Sequence, residues 1–233
     1  MLNFQQMDEK MEKFLEILRK CPLFFGISDE SLLRMLTCLG ARIEKYMKGD
    51  TVFCQNCEAI YIGIVLEGSV QIVSIDYCGN RSIVSEVGDG GIFAEAFACA
   101  EVRSLPVSVI AKDDSQIMLI ECSHILHTCS NNCGFHQTLI YNLMKDLAEK
   151  TLLYHERIEV TSKRTTREKL LTYLNILAKK EGGASFDIPF DRQELADFLE
   201  VERSGLSAEI SKLRKEGIID CWKNHFKLLG NMS

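Results

Sequence analysis

Leu139, Leu143, Leu147, Thr151, Tyr154 and Ile158 recur at spacings of 4, 4, 4, 3 and 4 residues. That is the period of one face of an α-helix, sustained over more than five turns. The pattern predicts a long helix across roughly 123–160. A small β domain cannot cover such a stripe along its whole length. A second copy of the same helix can, so the spacing predicts a homodimer with Leu139, Leu143, Leu147, Tyr154 and Ile158 in its seam. Packing of the stripe on the chain's own domain is the competing arrangement.

The long helix divides the sequence. Before it, "TVFCQNCEAIYIGIVLEGSVQIVSIDYCGNRSIVSEV" is rich in Val, Ile, Tyr and Phe and is broken by "KGD", "EGS" and "YCGN". Short strands with turns at close intervals predict an antiparallel roll or sandwich. Helical signals precede it, with Ser28 as N-cap of "SDESLLRMLTCL"; Ser31 has no carboxylate to complete a capping box. After the long helix, Thr165 with Glu168 and Asp191 with Glu194 read as capping boxes, and Gly182 and Gly183 close the first of the two helices. "IIDCWKNHFKLL" reads as a hairpin turning at "KN". The expected fold class is α+β. A β-roll with N-terminal helices occupies 1–122, a dimerisation helix 123–160 and a winged helix-turn-helix 161–233.

"ADFLEVERSGLSAEISKLRKEGII" carries the functional expectation. A helix starting near Glu202 buries Leu206, Ile210 and Leu213. It turns outward a face on which Ser204, Ser207, Ala208 and Ser211 stand in place of long side chains. The DNA major groove is about 12 Å wide, and an α-helix nearly fills it, so small side chains permit close approach. Serine hydroxyls can bond phosphates or base edges, and an arginine in the first turn can fork onto guanine. Arg203, Ser204, Ser207, Ser211 and Lys212 are therefore the expected DNA-contacting residues. Charge agrees with this division. Residues 161–233 hold 13 Lys and Arg against 11 Asp and Glu, whereas 1–160 hold 14 against 22.

The chain resembles the Crp/Fnr family, the cyclic-AMP receptor type of bacterial transcription regulators. The N-terminal resemblance rests on "CPLFFGISDESLLRML", "MKGDTVFCQN" and "IVLEGSVQI". The C-terminal resemblance rests on "DRQELADFLEVERSGLSAEISKLRKEGII" and "NHFKLL". It implies a cyclic-nucleotide-binding-like β-roll, a long dimerisation helix and a winged helix-turn-helix acting on double-stranded, two-fold operator DNA. RNA polymerase and a small-molecule effector are the further partners it implies. By this resemblance Arg203 begins the recognition helix and reads base edges. Two positions depart from the family. Glu200 stands in the turn where Gly is usual, and Ala208 stands where relatives often have Arg.

The effector stretch is "GIFAEAFACAEVRSLPVSVIA". In cyclic-nucleotide-binding relatives, F-G-E precedes an Arg-Ser/Thr pair that holds the phosphate. Phe93 and Glu95 match, and Ala94 replaces the Gly. Counting back from Ala111, Leu105 and Pro106 fall where the Arg and the hydroxyl belong, with Arg103 and Ser104 two residues early. A phosphate without charge-assisted donors is poorly held, so cyclic AMP and cyclic GMP are not expected ligands. The expected pocket, lined by Phe93, Glu95, Phe97, Arg103, Pro106 and Ser108, takes another small molecule or none.

Ten cysteines are scattered along the chain. The start lacks the features of a secretory signal and no apolar run approaches a membrane span, so a cytoplasmic protein with reduced thiols is expected. Cys54-x-x-Cys57 and Cys129-x-x-x-Cys133 leave a redox or metal role open. Only Cys21 lies near the start, so an iron–sulfur cluster is not supported, and no residue singles out a haem. No metal site is expected. An enzyme of the cupin type needs histidines on the roll, yet all five histidines lie at 124 or later; catalysis is not expected. The competing function is a ligand-binding regulatory module acting through protein partners, against which the lean helix and the hairpin argue.

Overall fold

The strand-and-turn run of the sequence builds two four-stranded antiparallel sheets. A computed structural model describes residues 13–77, 81–127 and 135–229. Helices α1 (Leu15–Lys20) and α2 (Asp29–Cys38) flank a 3-10 turn at Pro22–Phe24. Eight strands follow: β1 (Arg42–Tyr46), β2 (Thr51–Phe53), β3 (Tyr61–Glu67), β4 (Val70–Ile75), β5 (Arg81–Val87), β6 (Ile92–Phe93), β7 (Ser108–Ala111) and β8 (Ser115–Glu121). One sheet has the order β1-β8-β3-β6 and the other β2-β7-β4-β5.

The central strands β3 and β8 are covered on both faces, and period-two alternation sorts their side chains. Ile62, Ile64, Leu66, Met118 and Ile120 face a cluster shared with the N-terminal helices. Val65, Ile117 and Leu119 join Val70, Phe93, Ala94 and Val109 between the sheets. Gly63 pairs with Phe93, and a Cβ at 63 would lie 2.1 Å from the Phe93 ring. The missing side chain is what lets that ring lie on the sheet.

The expected helix across 123–160 is split. A short helix α4 (Cys122–Leu126) follows helix α3 (Glu95–Cys99) in chain order, and the long helix α5 runs Phe135–Thr161. Contacts divide the chain into units 1–148 and 149–233, so α5 belongs to both rather than forming a region of its own. Its first turns correct the expected dimer seam. Leu139 and Leu143 are buried in the first unit's own cluster, and Leu147 packs against it. Tyr154 and Ile158 are exposed, at 62% each. Spacings of four fix a stripe but not what covers it, and here the chain itself covers the first half. Asn142, also buried, donates from Nδ2 to the carbonyls of Leu23 (3.0 Å) and Phe25 (2.8 Å).

The second unit contains α6 (Thr166–Glu181), β9 (Ser185–Asp187), α7 (Arg192–Leu199), α8 (Arg203–Lys215), β10 (Ile219–Trp222) and β11 (His225–Leu228). Both expected capping boxes form, at Thr165 with Glu168 and at Asp191 with Glu194. Gly182 ends α6 in the left-handed conformation at φ 67°. The hairpin β10–β11 is present, and β9 adds a third strand beside β11 that the sequence pattern did not indicate. Leu206, Ile210 and Leu213 anchor α8 in the core with Leu170, Leu174, Leu195, Leu199 and Phe226. Among the described residues, no helix is long and apolar enough to cross a membrane.

Candidate nucleic-acid interface and effector cavity

The two helices α7 and α8 are joined by a break at Glu200–Glu202. Glu200 adopts φ 53°, ψ 55°, the left-handed conformation that glycine takes without penalty. The Lys169 ammonium on α6 offsets part of that strain. It donates to the carbonyls of Leu199 (2.9 Å) and Glu200 (3.3 Å), placing a cation on the C-terminal end of α7.

Arg203, Ser204, Ser207, Ala208, Ser211 and Lys212 are all exposed on α8, opposite its buried stripe. Arg203 has no ion-pair or hydrogen-bond partner among the described residues. It borders an open hollow of about 450 Å³ together with Asp191, Arg192, Gln193, Lys223 and Asn224. Ser211 is less available than its spacing suggested, because its hydroxyl donates to the Ser207 carbonyl at 2.9 Å. It can still accept. Glu209, on the flank of the same helix, is neutralised by Arg167 at 3.3 Å, and Arg167 also reaches Glu216 at 2.6 Å.

Residues of the hairpin turn complete this surface and were missed in the sequence. Lys223 stands in the left-handed region at φ 52°, and its carbonyl accepts from Arg192 at 3.0 Å. The Arg192 guanidinium also lies 4.9 Å from the centre of the Phe226 ring. Arg192 therefore holds the hairpin against α7, leaving the side chain of Lys223 at the rim. The "KN" turn was the only signal for it.

The effector stretch is built differently from the expected pocket. Phe93 is buried between the sheets, 5.6 Å from the Phe53 ring. Ala94 is left-handed at φ 63°, the conformation for which a glycine would be suited. Glu95 is buried at the start of α3, and Phe97 is half-buried. Arg103 and Pro106 are exposed. Ser108 is buried, and its hydroxyl accepts from the Gln55 amide at 3.0 Å. Leu105 turns inward, 2% exposed, and its backbone exchanges hydrogen bonds with Asn56 and Cys57, both at 2.9 Å.

The cavity at this place is lined by Phe53, Glu58, Ala59, Ile60, Tyr61, Ala94 and Leu105, and measures about 30 Å³. None of Phe93, Glu95, Phe97, Arg103, Pro106 and Ser108 lines it. Phe93 packs between the sheets, Glu95 is buried at the start of α3, Arg103 and Pro106 are exposed, and Leu105 lines the cavity instead. The room there is that of one or two waters, and no Lys or Arg is among the residues that line it.

The thiols also differ from expectation. Cys54 and Cys57 form a disulfide rather than a dithiol. Cys99 and Cys122 stand 3.6 Å apart, sulfur to sulfur. Among the described residues, no three His, Cys, Asp or Glu side chains stand together as a group that could hold a metal ion. Cys129 and Cys133 lie outside the described residues.

Comparison with known proteins bears on both units. The family "Cyclic nucleotide-binding domain" matches residues 43–132 and the "Crp-like helix-turn-helix domain" matches residues 168–229. Transcriptional activator protein FnrL of Cereibacter sphaeroides is 32% identical over 189 residues, covering 75% of this chain and 71% of FnrL. A Rhizobium leguminosarum bv. viciae protein named "Probable transcriptional activator" is 25% identical over 200 residues, covering 83% and 79% of the two chains. Among solved structures, the c-di-GMP-responsive global regulator CLP of Xanthomonas campestris is similar at TM-score 0.51 and 16% identity, covering 87% of this chain and 100% of CLP. CLP shows the fold alone. The match to FnrL, with a family match on each unit and a lean helix presented beside a wing, establishes that the chain belongs to the Crp/Fnr family of DNA-binding transcription regulators.

Proposed function

We propose that the chain acts as a homodimer on two-fold operator DNA. In this reading α8 enters the major groove, Arg203 reads a guanine, and Ser204 and Ser207 contact base edges or phosphates. Lys212 and Lys223 add phosphate contacts, and Ser211 serves as an acceptor. The observation that carries the reading is the exposed small-residue face of α8, headed by the unpartnered Arg203 beside the hollow under the wing. RNA polymerase is the further partner expected of a regulator with this build.

The dimer seam is proposed on a different face of α5 from the one the four-residue spacing suggested. Tyr141, Met144, Ala148, Thr151, His155 and Ile158 are all exposed. They alternate at spacings of 3, 4, 3, 4 and 3, the heptad rule of a two-stranded coiled coil. Thr151 and Ile158 are retained from the earlier stripe, and Tyr154 borders the new one.

The β-roll is proposed to take a small effector other than a cyclic nucleotide, or to respond without one. Support comes from Leu105 and Pro106 in place of phosphate donors and from the 30 Å³ cavity. Selection from random duplexes, followed by footprinting of the recovered sequence, tests the DNA reading. The expected product is a palindrome with half-sites about one helical turn apart. Recovery of no sequence, together with a monomer in sedimentation, would overturn it in favour of action through protein partners.

A further inference from the structure

Cys99 is the last residue of α3 and Cys122 the first of α4, with their sulfurs 3.6 Å apart. A disulfide requires about 2.05 Å, so closure from 3.6 Å brings the two sulfurs nearer by about 1.5 Å and pulls on the ends of the two short helices that carry them. The two thiols are unequal. Cys99 is half-buried and Cys122 is 4% exposed. The contact with Cys122 holds the Cys99 thiol below its ordinary range, while the same contact and burial push Cys122 up. Cys99 is thus the thiol that meets a solution reactant, and Cys122 the one held in reserve.

We propose that Cys99 and Cys122 form a redox switch, closing to a disulfide by exchange with a low-molecular-weight disulfide such as oxidised glutathione and thereby resetting DNA affinity. The proposal rests on the DNA-regulator reading and names the signal its β-roll receives. The Cys99 thiolate attacks one sulfur of the small disulfide, forms a mixed disulfide and displaces one thiolate. Cys99 then no longer carries charge, which removes the two influences of its own that kept Cys122 protonated. Cys122 gives its proton to the displaced thiolate and attacks the Cys99 sulfur, releasing the second small thiolate, which takes from solvent the proton that Cys99 gave up on ionising. Two protein thiols are oxidised and one small disulfide is reduced to two thiols.

The position of the pair gives the bond something to act on. Cys122 and Ala98 belong to the apolar cluster that receives Leu139 and Leu143 of α5, and Cys99 and Leu147 pack against it. On the other side, the segment after α3 is tied to the Cys54–Cys57 loop. Ala59 donates to the Val102 carbonyl at 3.0 Å, and Leu105 donates to the Cys57 carbonyl at 2.9 Å. A shift of α3 toward α4 therefore cannot be absorbed freely at its far end. It falls on the seat of the long helix, which runs on into the DNA-binding unit.

The test uses the full chain equilibrated over a series of reduced-to-oxidised glutathione ratios. Alkylation and peptide mass spectrometry read the disulfides, and the duplex recovered by selection reads affinity. The expected result is a Cys99–Cys122 linked peptide whose appearance tracks a change in affinity of roughly fivefold or more. That change is absent in Cys99→Ser and persists in the double variant Cys54→Ser/Cys57→Ser. No linked peptide at any ratio overturns the proposal, as does an affinity change that survives Cys99→Ser. Linked peptide with unchanged affinity overturns the switch alone. Linked peptide with no duplex bound in either state overturns the DNA reading and the switch with it. Cys122→Ala, read by the same two measurements, guards against a folding effect peculiar to Cys99→Ser and is expected to match it.

Discussion

Replacing Glu200 separates backbone strain from side-chain contact at the helix-turn-helix corner. At φ 53°, ψ 55° a residue with a Cβ bears about 1–2 kcal/mol relative to the right-handed region. Glu200→Gly removes that strain but adds about 0.5–1 kcal/mol of unfolded-chain freedom. The net expectation is a gain of about 0.5–1 kcal/mol. The side chain itself contributes little. Its nearest cation is Arg157 at 3.9 Å, with the pair 49% and 60% exposed, a contact worth about 0–0.5 kcal/mol. Glu200→Ala keeps the strain and loses only that contact, so it should be neutral or slightly destabilising. Urea unfolding measures the difference, with Trp222, the chain's single tryptophan and part of this unit, as reporter. With a net gain of about 0.5–1 kcal/mol and a slope of about 1–3 kcal/mol per M, Gly should unfold at a urea concentration about 0.2–1 M above Ala. Equal midpoints for the two variants would refute the strain argument, and a Gly variant less stable than Ala would show that the added freedom of the unfolded chain outweighs the strain.

Lys169→Met leaves the carbonyls of Leu199 and Glu200 without their cation, and should cost about 1–2 kcal/mol in the same unfolding assay. Arg203→Ala should lose about 1–3 kcal/mol of operator binding and relax one base position, read by footprinting across operator variants. The double variant Tyr141→Asp/Met144→Asp should sediment as a folded monomer, whereas Leu143→Asp, at 2% exposure, should unfold the first unit as read by circular dichroism. A soluble Leu143→Asp monomer with native dichroism would return Leu143 to the seam. Calorimetric titration with cyclic AMP or cyclic GMP should give no heat, and truncation of the cavity wall by Leu105→Ala should not create binding, since it supplies room without a donor for the phosphate.

Local periodicity carried much of the fold. The Val, Ile, Tyr and Phe broken by turns from Thr51 to Val87 and the paired capping residues of α6 and α7 are signals written within a few residues, and they were legible. The corner at Glu200 was marked by the family resemblance, which puts Gly in that turn, and the left-handed φ of 53° agrees with it. What failed depended on distant packing. The stripe through Leu139 and Leu143 has the same period whether it faces a second copy or the chain's own sheet. The inward turn of Leu105 requires knowing that Asn56 and Cys57 lie beside it, 48 or more residues back in sequence. The Cys99–Cys122 pair is likewise a long-range meeting, and neither cysteine sits in a recognisable spacing. Lys223 was hidden for another reason: a lone lysine in a turn is ordinary until Arg192 fixes the turn beside α8.

Asn142 gives the long helix a ratchet tooth. Both of its bonds run to carbonyls of one short turn, Leu23 within it and Phe25 just past its end. An advance of α5 along its axis by a single residue, about 1.5 Å, strips both bonds at once and strands a buried amide. With Leu139, Leu143 and Leu147 packed on the same unit, Asn142 fixes the axial register of the first half of α5.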